Sequence, residues 1–303
     1  MKISPVLEKI SGKYGGLCIK NCNLSQYSTI GTGGTASVLY IPSSESELED
    51  VLKVIKGEEV KSFISGNGSN VLFSDKGFDG VVVRINGDLV PIKREGERIE
   101  VSSGTRLSKL LQECMAVGLS GLECMAGIPA TVGGAIKNNA SSDLGAITDV
   151  LEEMIVLTED KKRVCVNKKE IKRSYRSSLW PGGGVILRAV FTLKESSPED
   201  VRKRVKDLFM KKLQKQPCNM KTLGCVFKNP GNTDKAAWQL VDAAGMRGRR
   251  LGGARVSEKH ANFIINDRKA KSFDVAELIQ IIRGEVRNKF GIELENEIEM
   301  IGG

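Results

Sequence analysis

The chain of 303 residues is about twice the ~150 that one domain usually takes, so two domains or one large one are expected. Hydrophobic residues at 40% and charged residues at 27% exclude wholesale disorder, and no apolar run approaches the ~18 residues of a membrane span. The net charge of +9 leaves nucleic acid, an anionic surface and an anionic small substrate open as partners. Glycine is in excess at 33 residues while aromatics make up only 5%, which points to tight turns and backbone approaching a ligand. Pro5 and Glu8 interrupt the apolar stretch that a signal peptide needs, and a cytoplasmic protein is expected.

Residues 36–93 read as a βαβ beginning. ASVLYIP (36–42) is a strand by its apolar content, and Ser44 with Glu47 forms a capping box that opens a helix ending near Gly57. KSFIS (61–65) is the next strand, interrupted by GNGSN (66–70) and resumed by VLFSD (71–75). GVVVRI (80–85) and RIEVSSG (98–104) read as antiparallel strands. From Thr105 to Val117, Leu107, Leu110, Leu111 and Cys114 recur at helical spacing, and Gly118 stops the helix. Residues 121–145 hold five glycines and little periodicity, and read as a loop-rich segment facing a ligand. Strands are expected over 150–158, 162–167 and 184–194, with a short polar helix ahead of Tyr175. Ser197, Pro198 and Asp200 start a basic helix that Pro217 ends. A boundary near residue 200 precedes a separate α+β unit: helix AAWQLVDAAGM (236–246), strand ANFIIN (261–266), a helix near 274–290 closed by Gly291, and an alternating strand IELENEIEMIG (292–302).

Gly31-Thr32-Gly33-Gly34-Thr35-Ala36 loosely matches a dinucleotide fingerprint, but a strand follows where a helix N-terminus is required, so the Rossmann reading fails. In GNGSN, glycines let successive N–H groups point inward as an anion-binding nest, and Ser69 and Asn70 add donors; a plain Asn-Gly turn remains open. The run from Gly127 to Ala135, GIPATVGGA, is more specific. Pro129 fixes the chain, and Gly133 and Gly134 remove side chains where another molecule could lie close. Asn138, Asn139 and Ser141 follow with only Lys137 charged, which suits a diphosphate and a heterocycle held by backbone contacts; a buried crossover is the alternative.

Tyr175-Arg176-Ser177-Ser178 is expected at a helix end before a strand, where a guanidinium suits a carboxylate, although a lone arginine is commonly a surface residue. Cys225, after Gly224 and near Lys228, is a thiol that could be accessible and electrostatically tuned, against the alternative of an inert buried cysteine. The seven cysteines are odd in number and scattered, so no disulfide framework is expected and most should be small buried apolar residues. With a single histidine, His260, a Cys/His metal site has little material, and no metal is expected. Glu293, Glu295, Glu297 and Glu299 alternate with apolar residues, so the acids share one face; most must be solvated and at most one catalytic unless that face lines a cleft. The stretch 201–221 carries eight Lys/Arg against Asp207 alone, with Phe209 as its single aromatic, and reads better as a solvated helix face than as a nucleic-acid surface.

In this order, TIGTGGTA, SGNGSNVLFSD, GLECMAGIPATVGGA, YRSS, QP…GCVFKNP, GGARVSEKHANFIIN and FGIELENEIEMIG resemble the UDP-N-acetylenolpyruvoylglucosamine reductases (UDP-N-acetylmuramate dehydrogenases) from about residue 29 to the end, and the compact length resembles their shorter subtype. The resemblance implies an α+β protein: an FAD-binding fold of the p-cresol methylhydroxylase type over 1–200, in two subdomains split near 85–95, then a substrate domain over 201–303. It implies FAD held by Gly66, Asn67, Gly68, Ser69 and Asn70 and by Gly127, Ile128, Pro129, Thr131, Gly133, Gly134 and Ala135. NADPH would reduce the flavin, which would deliver hydride to the enolpyruvyl group of the UDP-sugar in peptidoglycan precursor synthesis.

By the same resemblance, Arg176 and a protonated Glu297, whose environment should raise its pKa, stabilise the enolate. Cys225 protonates carbon where many members carry serine. Tyr175, Lys228 and Asn229 would hold the substrate, and His260 would have a core or structural role. Two departures stand out. Ala130 replaces the usual glycine after the proline, and Asn138-Asn139-Ala140-Ser141 replaces Met-Asn-Ala-Gly; either could alter FAD contacts without touching the acid. The expected partners are a UDP-sugar and NADPH, with no nucleic acid or membrane, and the chain is expected to be a monomer or weak oligomer. The alternatives are another FAD oxidoreductase or oxidase of this fold, or a basic nucleic-acid-binding module.

Overall fold

The structure, a computed structural model, describes residues 3–302; Met1, Lys2 and Gly303, at the outer ends of the two expected regions, lie outside the described residues. The chain divides into two compact units. The first takes the residues up to Lys20, Val38–Asn67 and Gly80–Lys211; the second takes Asn21–Ser37, Gly68–Asp79 and the residues from Lys212 on. A single cut near residue 200 would leave Asn21–Ser37 and Gly68–Asp79 in the first region. They group instead with the C-terminal residues because Ile30 and Leu72 are buried in that unit's core and Val71–Phe73 pairs in parallel with Glu299–Ile301.

The first unit has two cores. In one, a four-stranded sheet ordered Leu17–Asn23, Thr35–Ile41, Phe78–Arg84, Ser62–Ser65 packs with the helix Glu45–Gly57, burying Val38, Tyr40, Leu48, Val51, Val81 and Val83. Ser44 Oγ accepts the Glu47 N–H at 3.2 Å as expected of an N-cap. The return half of the capping box is missing, because the buried Glu47 carboxylate takes the Ser43 N–H (3.1 Å) and Gly16 N–H (2.9 Å) and the hydroxyls of Ser43 and Tyr40. In the other core, a five-stranded antiparallel sheet runs in the order Arg163–Asn167, Leu151–Leu157, Val185–Thr192, Arg98–Ser102, Lys93–Glu95. The helix Leu107–Val117 joins it through Leu107, Leu110, Leu111 and Cys114, and ends where left-handed Gly118 (φ +70°) donates to the Cys114 carbonyl.

Two expected pairings are corrected. The strands at 80–85 and 98–104 lie in different sheets. Val81, Val82 and Val83 are all buried, the pattern of a strand covered on both faces, and their strand pairs in parallel with Ser62–Ser65. Val71–Phe73 does not resume the 61–65 strand, since left-handed Gly68 (φ +67°) breaks the extended run and the segment enters the second unit.

The second unit is built on a four-stranded antiparallel sheet ordered Thr222–Cys225, Phe263–Asn266, Ala254–Val256, Arg250–Leu251. The helices Ala237–Ala243 and Ser272–Phe290 contribute Leu240, Val241, Leu278 and Ile282 to its core. Only Glu299–Ile301 of the expected 292–302 strand is regular, although Leu294 and Ile298 keep the inward alternation. Among the described residues, no helix is long and apolar enough to cross a membrane.

Candidate active site

In the first unit, Gly66 and Asn67, which open one glycine-rich segment, meet the other. Asn67 Nδ2 donates to the Pro129 carbonyl at 2.7 Å, and Asn67 Oδ1 accepts from Asn86 Nδ2 at 3.0 Å. A Cβ on Gly66 would lie 2.4 Å from Thr131 Oγ1, so the approach requires glycine. Thr131 caps a helix, Val132–Lys137, by accepting from Gly134 N–H at 3.4 Å, in a segment expected to lack regular structure. Its amides are committed internally: Val132 to the Thr105 carbonyl (2.9 Å), Gly133 to Ser103 (2.8 Å) and Ala135 to Thr131 (2.9 Å). The N–H groups of Val132, Gly133, Gly134 and Ala135 are thus taken within the protein, which bears on the expectation of a ligand held here by backbone contacts. Gly133 is needed for packing, since its Cβ would stand 2.9 Å from that of Ser103.

GNGSN differs. Among the described residues, no backbone N–H from Gly66 to Ser69 donates to an acceptor in the protein. Gly68 holds a left-handed φ, and a Cβ there would lie 2.1 Å from the Tyr27 carbonyl oxygen. Uncommitted consecutive amides at a left-handed turn are the feature that an anion nest requires.

Tyr175 and Arg176 form the two-residue turn of a hairpin, Lys172–Ser174 with Ser177–Leu179, rather than a helix end; the short helix expected ahead of it is a 3₁₀ turn, Lys168–Glu170. Arg176 has φ +58°. Its Nη1 donates to Ser141 Oγ (2.8 Å) and to the Ser141 carbonyl (3.3 Å), and its guanidinium carbon lies 5.2 Å from the Tyr175 ring centre. Asn139 Nδ2 donates to the Ser174 carbonyl (3.0 Å), which ties this hairpin to the segment after the Val132–Lys137 helix. Of the departing residues, Ser141 thus bears on the arginine turn, next to an Asn139 that keeps the family's residue, while Ala130 packs against the core.

In the second unit, Cys225 ends its strand opposite Phe263, after a register shift that contains left-handed Gly224 (φ +81°). Such an irregularity re-aims the side chain that follows. The half-buried Cys225 lies on a segment bridged to the glutamate run: Phe227 pairs with Asn296, Glu297 N–H donates to the Val226 carbonyl (2.7 Å) and Lys228 N–H to the Glu295 carbonyl (2.9 Å). Glu293, Glu295 and Glu299 are exposed and Glu297 is half-buried, which singles it out from the four. Lys228 Nζ pairs with Glu295 (3.3 Å), and Asn229 Oδ1 accepts the Ala237 N–H (2.9 Å) at a helix start.

Buried Asn262 clamps this segment. It accepts the Phe227 N–H (2.9 Å) and donates to the Phe227 carbonyl (2.8 Å). Asn70, expected at a cofactor, donates to the Glu297 carbonyl (3.1 Å) and ties down that segment. His260 lies against Phe263 (4.8 Å between ring centres), and its Nδ1 accepts the Asn262 N–H (3.3 Å). Burial, then Arg247, pull its pKa below the ordinary histidine value, consistent with a structural role. Only Cys22 and Cys114 are fully buried, so the expectation for most cysteines is corrected; Cys165 is exposed and the rest are half-buried.

The family model described as "UDP-N-acetylenolpyruvoylglucosamine reductase, C-terminal domain" matches residues 216–301, and "FAD binding domain" matches 36–165. The chain is 36% identical to UDP-N-acetylenolpyruvoylglucosamine reductase 1 of Bacillus cereus, over 95% of each chain. To the UDP-N-acetylenolpyruvoylglucosamine reductase of Caldicellulosiruptor bescii it is 39% identical, over 94% of this chain and 90% of that one. The chain belongs to the UDP-N-acetylenolpyruvoylglucosamine reductase family. Its structure is similar to the crystal structure of the reductase from Thermus caldophilus, with a TM-score of 0.77 at 33% identity, covering 95% of this chain and 99% of that one. The fold is α+β, with an FAD-binding portion of the p-cresol methylhydroxylase type and a C-terminal reductase domain.

The residues present fit FAD. Beside the amides of Gly66 to Ser69, the hydroxyls of Ser65 and Ser103 are buried with no hydrogen-bond partner among the described residues. Ser65 immediately precedes Gly66, and the Ser103 carbonyl holds Gly133. A buried polar atom left unpaired costs about 1–3 kcal/mol, which a polar cofactor can relieve. Ser103 lies in a stretch that reads simply as a strand, with no sequence signal of this role.

Proposed function

We propose that the chain is an NADPH-dependent, FAD-mediated reductase that converts the enolpyruvyl group of UDP-N-acetylglucosamine enolpyruvate into UDP-N-acetylmuramate for peptidoglycan. The observation that carries this reading is the bridging of the Cys225 segment to the Glu297 segment within the domain matched by the reductase family. The Gly66–Ser69 amides take the FAD diphosphate, and GIPATVGGA gives it a close surface. Bound FAD supplies the hydride that the vinyl carbon receives.

Negative charge then develops on the substrate carboxylate. Arg176 meets it with a planar cation, and a protonated Glu297 donates to it. Cys225 hands a proton to carbon; a thiol, with a reference pKa of ~8.5, is largely protonated at neutral pH and is a better acid than a hydroxyl. Tyr175, Lys228 and Asn229 hold the sugar nucleotide. In this reading the region to about residue 200 serves the flavin and the region beyond it the substrate, in a cytoplasmic protein that is monomeric or weakly associated.

Purified protein is expected to be yellow, to bleach with NADPH and to regain colour with the enolpyruvyl UDP-sugar. Cys225→Ala should bleach normally yet reoxidise with substrate about 10²–10⁴-fold more slowly, while Cys225→Ser keeps appreciable turnover. Unchanged turnover in Cys225→Ala removes the acid assignment. Reoxidation by oxygen but not by the UDP-sugar would make the protein an oxidase.

A further inference from the structure

We infer that Ser141 aims the Arg176 guanidinium, as a positioning residue for the substrate carboxylate; this rests on the assignment of Arg176 made above. The left-handed turn fixes where the Arg176 side chain leaves the backbone, but not the torsions of a long, rotamer-rich chain. A guanidinium recognises a carboxylate in its own plane, so the direction of that plane matters as much as its charge.

Ser141 sets the direction from one nitrogen, through its hydroxyl at 2.8 Å and its carbonyl at 3.3 Å from Nη1. The Tyr175 ring supports one face. The acceptor is itself held. Ser141 pairs with Ala146 in a short antiparallel ladder, and two residues earlier Asn139 is fixed by Ser174 and by the Thr148 hydroxyl (2.6 Å). Arg176 therefore has its orientation established before a substrate arrives, the condition under which a positioned group contributes most.

The test uses purified, flavin-loaded protein and follows substrate-driven reoxidation apart from NADPH-driven bleaching. Ser141→Ala removes the hydroxyl and leaves the carbonyl. It should lower kcat/KM for the enolpyruvyl UDP-sugar about tenfold, while the bleaching rate, FAD content and Tm stay at wild-type values. Ser141→Thr, which keeps a hydroxyl, should recover most of the loss. In an Arg176→Gln background, Ser141→Ala should add no further loss, because the two residues act as one unit. Wild-type reoxidation in Ser141→Ala overturns the inference, as does an equal loss in both backgrounds or a loss of FAD. If Arg176→Gln impairs reoxidation but Ser141→Ala does not, only the positioning role fails. If Arg176→Gln leaves reoxidation intact, the carboxylate assignment itself fails and this inference with it.

Discussion

The two glycine-rich segments, GNGSN and GIPATVGGA, look alike in composition, yet they use glycine differently. In the first, Gly66 and Gly68 admit neighbouring atoms of Thr131 and Tyr27, and the amides up to Ser69 stay uncommitted. In the second, Gly133 admits Ser103, and the amides of Val132, Gly133 and Ala135 bond to residues 103, 105 and 131. Glycine therefore signals close approach, but the identity of what approaches decides whether donors remain for a ligand. One loop keeps its amides uncommitted; the other spends them on its own packing.

Substitutions can break this contrast. The largest effect is expected from Gly68→Ala, which combines a left-handed φ with a Cβ placed 2.1 Å from a carbonyl oxygen. It should cost about 2–4 kcal/mol and abolish retention of FAD through purification, read as flavin absorbance per protein and Tm. Normal flavin content would show that the nest is not built on this turn. Gly133→Ala should be milder. Overpacking against Ser103 costs about 1–3 kcal/mol, partly offset by up to ~1 kcal/mol of helix propensity. Its FAD affinity should fall less than that of Gly68→Ala, and a reversed order would mean that the second loop carries the main contacts.

The smallest effect concerns acid. Asp88 accepts from Thr105 Oγ1 (2.5 Å), whose residue's carbonyl holds the Val132 N–H. Burial pushes the Asp88 carboxyl up, but the bonds from Lys109 and Thr105 outweigh it and hold the folded pKa below the usual value. A depressed folded pKa gives stability that is present above the unfolded value of ~3.9 and lost as pH falls through the folded one. Asp88→Asn should therefore lower Tm by only a few degrees at pH 7, under about 1 kcal/mol for so accessible a pair, with the deficit vanishing well below pH ~4. A deficit that persists in acid would show that the charge is not what supports the second loop.

The helix over 105–117 was legible because helical spacing ends in a left-handed glycine, and the same holds for the helix that Gly291 closes. Pairing was less legible. Val71–Phe73 has the apolar look of any buried strand, and nothing local marks its partner as Glu299–Ile301. The Tyr175–Arg176 turn lacks the Gly, Asn or Asp that would announce a positive φ, so its sequence reads as a helix end. Cys225 and Glu297 are proposed from a family pattern, whereas Asn262 and Ser141 each bond to a residue 35 positions away and carry no motif of their own.

The pairing of Val71–Phe73 with Glu299–Ile301 also bears on how the protein matures. A chain emerging from the ribosome folds its early segments first, and this ladder must wait until residues 299–301 have left the exit tunnel. Until then the strand Val71–Phe73 awaits the strand it pairs with, and apolar Leu72 and Phe73, both buried in the finished fold, await their cover.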